Sequence, residues 1–217
     1  MTHKLEADGI QLHFGNRTIL SNIYLKCETG KIIGLLGRNG QGKSCLMHII
    51  YGTLKSEKSI RIDNVSYPEA FKRSDLLLYL PQFNFIPKSL SLKRVFQDFN
   101  LDFENFIEIF PEYSPNYKSS IGSLSGGRQR LIELYVLVKS TSKFVMLDEP
   151  FTHISPLQVE KVKNLLLEEK SNKGILITDH IYTQVLDICD NLYVLANGQT
   201  HLTNSLTNIE TLGYAKL

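Results

Sequence analysis

The stretch from Lys31 to Ile50, KIIGLLGRNGQGKSCLMHII, constrains this chain more than any other. An apolar run of strand length (Ile32, Ile33, Leu35, Leu36) stops at Gly37, Gly40 and Gly42, and Lys43-Ser44 then opens a second apolar run of helical length. The pattern predicts strand, glycine loop, helix. Glycines let a backbone turn tightly with its N–H groups aimed inward, where side chains would block an anion. The helix start that follows adds free N–H groups and partial positive charge. Gly37-x-x-x-x-Gly42-Lys43-Ser44 is thus a phosphate-loop pattern in the context it requires. Lys43 can reach β- and γ-phosphates, and Ser44 offers a neutral oxygen to Mg²⁺, a hard cation that prefers oxygen. A glycine-rich turn with an incidental lysine is the competing reading, and the flanking patterns argue against it.

Composition bounds the rest. At 217 residues the chain suits one large domain or two small ones, with length enough for a buried core. A net charge of +2 points away from a dedicated nucleic-acid binder. Cys27, Cys45 and Cys189 are scattered and odd in number, which fits neither a disulfide framework nor zinc-ligand spacing and implies a reducing cytoplasm. No run of about 18 apolar residues occurs, and the start, MTHKLEADG, lacks a signal peptide's apolar segment. The expectation is a chain that neither crosses a membrane nor enters the secretory path.

Ahead of the loop, Leu5 to Phe14 and Ile19 to Cys27 read as strands around a Gly15-Asn16 turn, a β subdomain leaning on an α/β core. Phe14 reads either as a core aromatic or as a face on which a base stacks. Beyond the helix, Ile60 to Val65 alternates, and Leu76 to Leu80 is stopped by Pro81 and followed by Gln82. Seven of the eleven phenylalanines fall between Phe83 and Phe110. Phe96, Phe99, Phe103, Phe106 and Phe110 recur at helical steps, as one helix or as two with Asn100 and Asp102 capping the second. These rings either form a small core of their own or line a groove for a partner.

Ser125-Gly126-Gly127 precedes an apolar helical run from Leu131 to Val138, a second place where backbone donors gather at a helix start. Phe144 to Leu147 is a buried-strand run that delivers Asp148 and Glu149 at its C-terminal edge, where open α/β sheets place their ligands. Gln158 to Lys170 reads as an amphipathic helix and Ile175 to Thr178 as another buried strand with His180 just past its end. Two short strands around Asn197-Gly198 and a short helix complete the chain.

In this order the motifs resemble the nucleotide-binding subunit of the ATP-binding cassette (ABC) family over essentially the whole chain. Residues 37–44 resemble the Walker A loop, Leu124 to Gln129 (LSGGRQ) the signature, and Phe144 to Glu149 Walker B with its following glutamate; Gln82, His180 and Phe14 match the Q-loop glutamine, the switch histidine and the adenine-stacking aromatic. The resemblance implies a single α/β domain over residues 1–217. It would have a P-loop NTPase core with a parallel sheet flanked by helices, an N-terminal antiparallel β subdomain, and a helical subdomain inserted at about residues 83–141.

The resemblance also assigns roles. ATP would be held by Phe14, Gly37, Asn39, Gly40, Gly42, Lys43, Ser44 and Cys45. Mg²⁺ would be held by Ser44, Gln82 and, through water, Asp148. Glu149 would act as general base, with His180 and Lys43 as the other catalytic groups. Two cassettes would face head to tail, a second copy of this chain preferred over a different one, so that Ser125, Gly126 and Gly127 close on the partner's ATP. Transmembrane permease subunits would be the further partners, nucleic acid would not, and the subunit would sit in the cytoplasm against the inner face of the membrane.

Two departures stand out. Cys45 replaces a hydroxyl residue, and Ser155 stands where the family's D-loop has aspartate, which bears on communication between the two sites. The leading expectation is an ATPase subunit driving a separate membrane transporter. The alternative is a soluble ABC-type ATPase in cofactor assembly or regulation, without a membrane partner. A long coiled coil does not fit between Gln82 and Leu124, which speaks against a chromosome-type member.

Overall fold

A computed structural model describes residues 2–203; the short helix expected near the end of the chain lies outside the described residues. Strands β1 (Lys4–Phe14) and β2 (Arg17–Glu28) form the predicted antiparallel hairpin, and with β4 (Glu57–Ile62) and β5 (Val65–Ser66) they build a four-stranded sheet in the order β2-β1-β4-β5. The alternating stretch Ile60 to Val65 is not one strand. Asp63 and Asn64 both take positive φ, 52° and 67°, the twist that a two-residue hairpin turn requires and that Asp and Asn tolerate.

The second sheet contains β3 (Ile32–Leu36), β6 (Leu77–Leu80), β7 (Phe144–Asp148), β8 (Gly174–Thr178), β9 (Asn191–Ala196) and β10 (Gln199–Thr203), in the order β10-β9-β3-β8-β7-β6. It is parallel except for β10. Every residue of β3, β7 and β8 is buried, as expected of strands covered on both faces. Successive side chains feed opposite faces: Ile33 and Leu35 pack with Leu46, Met47 and the N-terminal sheet, whereas Ile32 and Leu36 pack toward the other helices.

Helix α1 (Lys43–Tyr51) follows the glycine loop, and α2 (Leu92–Asp98), α3 (Phe103–Ile109) and α4 (Gly126–Lys139) lie between β6 and β7. The phenylalanine repeat belongs to two helices. Asn100 turns at φ 53°, and the Asp102 side chain accepts from Glu104 N at 2.9 Å to cap α3. Phe96, Phe103, Phe106 and Phe110 are buried around Tyr135 of α4, with the Phe106 and Tyr135 rings 4.8 Å apart edge to face. Phe83 and Phe85 remain exposed, so the cluster divides between core and surface. Helices α5 (Pro156–Glu169) and α6 (Tyr182–Leu186) cover the sheet after β7 and β8.

Candidate functional site

The C-terminal edges of β3, β7 and β8 bring the predicted residues together. Gly42, at φ 100°, ends the loop as the residue before α1, and a Cβ there would lie 2.9 Å from Ile19 Cγ2 in a conformation that side chains rarely adopt. Lys43 folds back across the loop, its ammonium donating to Gly37 O at 2.5 Å and Arg38 O at 3.4 Å. Burial pulls its pKa down, while the nearby charges of Glu149, Asp148 and Asp179 pull it up. Ser44 and Cys45 follow on the same turn. Burial raises the Cys45 pKa, which keeps it a thiol and a weak donor.

A cavity of about 560 Å³, the size of a small-molecule site, opens over this loop. Asn39, Gly40, Gly42, Lys43, Ser44 and Cys45 line it, together with Phe14, Arg17, Gln82 and Glu149. Phe14 is 54 % exposed, which sets aside the core-aromatic reading.

Glu149 leaves β7 at φ 52°, a left-handed conformation that costs a non-glycine residue on the order of 1–2 kcal/mol. The turn is held by Glu149 N donating to Thr178 O at 2.8 Å. Gln82 bridges the site, with Nε2 3.1 Å from Ser44 Oγ and 3.0 Å from Glu149 Oε1. His180 Nδ1 lies 3.7 Å from Glu149 Oε2 and 3.4 Å from Asp179 Oδ1. Ser44, Gln82, Glu149 and His180 therefore form one polar row beside the loop.

Asp148 is buried; Oδ2 accepts from the Tyr79 hydroxyl at 3.0 Å, and Oδ1 has no hydrogen-bond partner. A buried carboxylate oxygen left unpaired is costly unless a cation or water meets it. The hydroxyl, amide and carboxylate oxygens of Ser44, Gln82 and Asp148 are hard donors, so this set fits Mg²⁺. Burial, then the charge of Asp148, pushes the Tyr79 pKa far up, so the hydroxyl keeps the proton that it donates.

The model of the family described as ABC transporter matches residues 20–152. The chain is 30% identical over 224 residues to the lipopolysaccharide export system ATP-binding protein LptB of Escherichia coli, with 96% of this chain and 92% of the relative covered. It is 27% identical to the LptB of Haemophilus influenzae, covering 93% and 90%. The chain belongs to the ABC transporter family. Among solved structures, a nucleotide-free ATP-binding cassette from an ABC transporter superimposes with a TM-score of 0.78 at 23% identity, covering 98% of this chain and 96% of that one, which supports the fold alone. The protein is accordingly an ATP-binding ABC ATPase subunit with a P-loop fold.

Ser125, Gly126 and Gly127 do not line the cavity over the phosphate loop. Ser125 precedes α4 without a capping bond from its side chain, and nothing stands within 4 Å of a Cβ placed on Gly126. Gly127 is different, because a Cβ there would overlap His153 O. Ser155 has a local task. Its hydroxyl accepts from Gln158 N at 3.4 Å while Gln158 Oε1 accepts from Ser155 N at 3.3 Å, a capping box at the start of α5.

Sequence reasoning missed three residues of the site. Arg130, 3 % exposed, donates from the signature helix to Pro81 O, to Asp148 O at 2.5 Å and to Glu149 O at 3.3 Å, tying the ends of β6 and β7 together. Asp179 accepts from Phe151 N at 3.1 Å and Ile181 N at 2.9 Å, securing both loops that carry catalytic candidates. Tyr79 holds Asp148. None of the three announces its contact in the sequence, because a helix or strand pattern does not say which carbonyl, amide or carboxylate a buried polar tip will meet.

Proposed function

We propose that the subunit binds and hydrolyses ATP with Mg²⁺ to drive a separate membrane transporter, pairing with a second copy of itself when ATP is bound. The observation that carries this is the Gln82 bridge. One side chain contacts both Ser44 of the phosphate loop and Glu149, and the next residue but two, Phe85, belongs to an exposed apolar groove. Phe83, Phe85, Tyr51, His48, Phe99 and Tyr79 line this groove of about 380 Å³, and Phe83 is 67 % exposed. Exposed apolar surface of this kind suits a protein partner, and the transmembrane subunits are the partner proposed for it. No helix among the described residues is long and apolar enough to cross a membrane. The residues assigned above to ATP, metal and catalysis, and a single nucleotide-binding domain over residues 1–217, are part of the proposal. So is a place against the inner face of the membrane.

In this reading, Phe14 stacks on adenine and the loop N–H groups with Lys43 hold the phosphates. Bound at Ser44, Gln82 and Asp148, Mg²⁺ would supply positive charge to the β- and γ-phosphates. Glu149 takes the proton of the attacking water, and His180, 3.7 Å from it, orients that water and the γ-phosphate. Ser125, Gly126 and Gly127 complete the partner's site. Co-expression with adjacent multi-span proteins tests the reading: the subunit should sediment with membranes, and polar replacement of Phe83 or Phe85 should release it with ATP binding retained. A wild-type chain that stays in the supernatant beside every such protein overturns the transporter reading in favour of a soluble ABC-type ATPase.

A further inference from the structure

The nucleotide site and the apolar groove meet at one side chain, Tyr79. In β6 this residue pairs with Met146 of β7, and Asp148 stands two residues further along, so ring and carboxylate share one face of the sheet as a diagonal pair. The hydroxyl donates to Asp148 Oδ2 at 3.0 Å, leaving Oδ1 as the oxygen without a partner. On its other side the ring meets His48 edge-on at 5.2 Å between centroids, and Tyr51 at 5.3 Å. All three line the groove with Phe83 and Phe85.

We propose that Tyr79 is a positioning residue that fixes the Asp148 carboxylate for Mg²⁺ and couples it to the transmembrane subunit proposed for the groove. The last torsion of an aspartate is broad, so a carboxylate tethered by one oxygen presents the other in a single direction, whereas an untethered one samples many. The tether is a charge-assisted hydrogen bond in a buried setting, the kind whose loss is most felt. Its ring is nearly buried between Asp148 and the residues of α1, so pressure on His48 or Tyr51 has few outlets other than the hydroxyl.

The inference rests on Asp148 being the metal carboxylate, and the test separates the two. In a Glu149→Gln background, which stops turnover, the affinity of trinitrophenyl-ATP is measured by fluorescence with Mg²⁺ and with EDTA; their ratio is the affinity gained through the metal. Tyr79→Phe should lower that ratio at least five-fold while the EDTA affinity stays within two-fold, and Asp148→Asn should lower it as much or more. Tyr51→Ala, which touches the ring and not the carboxylate, should move the ratio the same way and add nothing on top of Tyr79→Phe. If Asp148→Asn lowers the ratio and Tyr79→Phe does not, the positioning role is overturned and the site reading stands. If neither does, the site reading fails first. Additive effects of Tyr51→Ala and Tyr79→Phe overturn the coupling through the ring.

Discussion

Arg130 offers the sharpest quantitative prediction, because a buried cation with only carbonyl partners makes separable contributions. Its guanidinium donates to Pro81 O, Asp148 O and, more loosely, Glu149 O, and burial lowers its pKa against the pull of Glu133 and Asp148. Arg130→Met keeps the stem and removes the donors, leaving the carbonyls of Pro81 and Asp148 without the guanidinium. Each unsatisfied buried acceptor costs ~1–3 kcal/mol, and the relief of no longer burying a charge offsets part of the sum. The net loss should be ~2–4 kcal/mol. Arg130→Lys can reach one carbonyl but cannot span two strand ends, so it should lie between. Because the two carbonyls flank Gln82 and Glu149, turnover should fall more than ATP affinity in both variants. Urea unfolding followed by circular dichroism, beside ATP binding and phosphate release, measures all of this. A methionine variant within ~0.5 kcal/mol of wild type, the scatter of ordinary surface changes, would refute the clamp.

Three further outcomes follow from the same geometry. Glu149→Gln should retain ATP binding and lose at least ~10²-fold in turnover, as loss of a general base does; near-normal phosphate release removes Glu149 from that role. Ser155→Asp should leave stability unchanged, since aspartate caps a helix as well as serine. If the chain pairs with itself, the variant should raise basal turnover and steepen its ATP dependence through a closure stronger by ~1–2 kcal/mol, and flat or falling values in both refute a role for that charge at the seam. Lys173 is buried with its ammonium on Ser140 O at 2.5 Å, and burial holds its pKa down to about 8 against an ordinary 10.5. The unfolded chain therefore binds more protons between those values, and native stability should rise with pH by ~2 kcal/mol from pH 7.5 to 9.5 relative to Lys173→Met. Equal pH dependence in both proteins would refute it.

The parts of the fold legible in the sequence were those with a single physical cause. Runs such as Phe144 to Leu147 and Ile175 to Ile177 are apolar at every position because both faces of a parallel strand are covered, and the structure buries each of them. Glycine at 42 announced its left-handed turn. Where two causes compete, the sequence was ambiguous. Ile60 to Val65 alternates like a strand, yet Asp63-Asn64 reverses it, because turn chemistry overrode hydrophobic period. The phenylalanine steps from 96 to 110 fit one helix face or two, and the Asn100 turn with the Asp102 cap decides between them. Tyr79 and Arg130 were illegible, since nothing in a strand or helix pattern says that one buried polar tip meets a backbone carbonyl or carboxylate 18 or 69 residues away.

The segment after β7 explains how a serine is accommodated at position 155. Two of its residues, Glu149 and His153, hold φ of 52° and 66°, a conformation that persists only when the surroundings over-determine it. They do so here at four points. Glu149 N is bound by Thr178 O, Phe151 N by Asp179, His153 O abuts Gly127 too closely for any side chain there, and Ser155 starts α5 through its capping box. None of these contacts needs a carboxylate at 155. The path of the loop is set by these bonds and by the missing Cβ of Gly127, so the signature helix cannot advance on His153 without displacing it, whatever residue caps α5. A change at Ser155 can therefore alter the charge that the loop presents without altering where the loop lies.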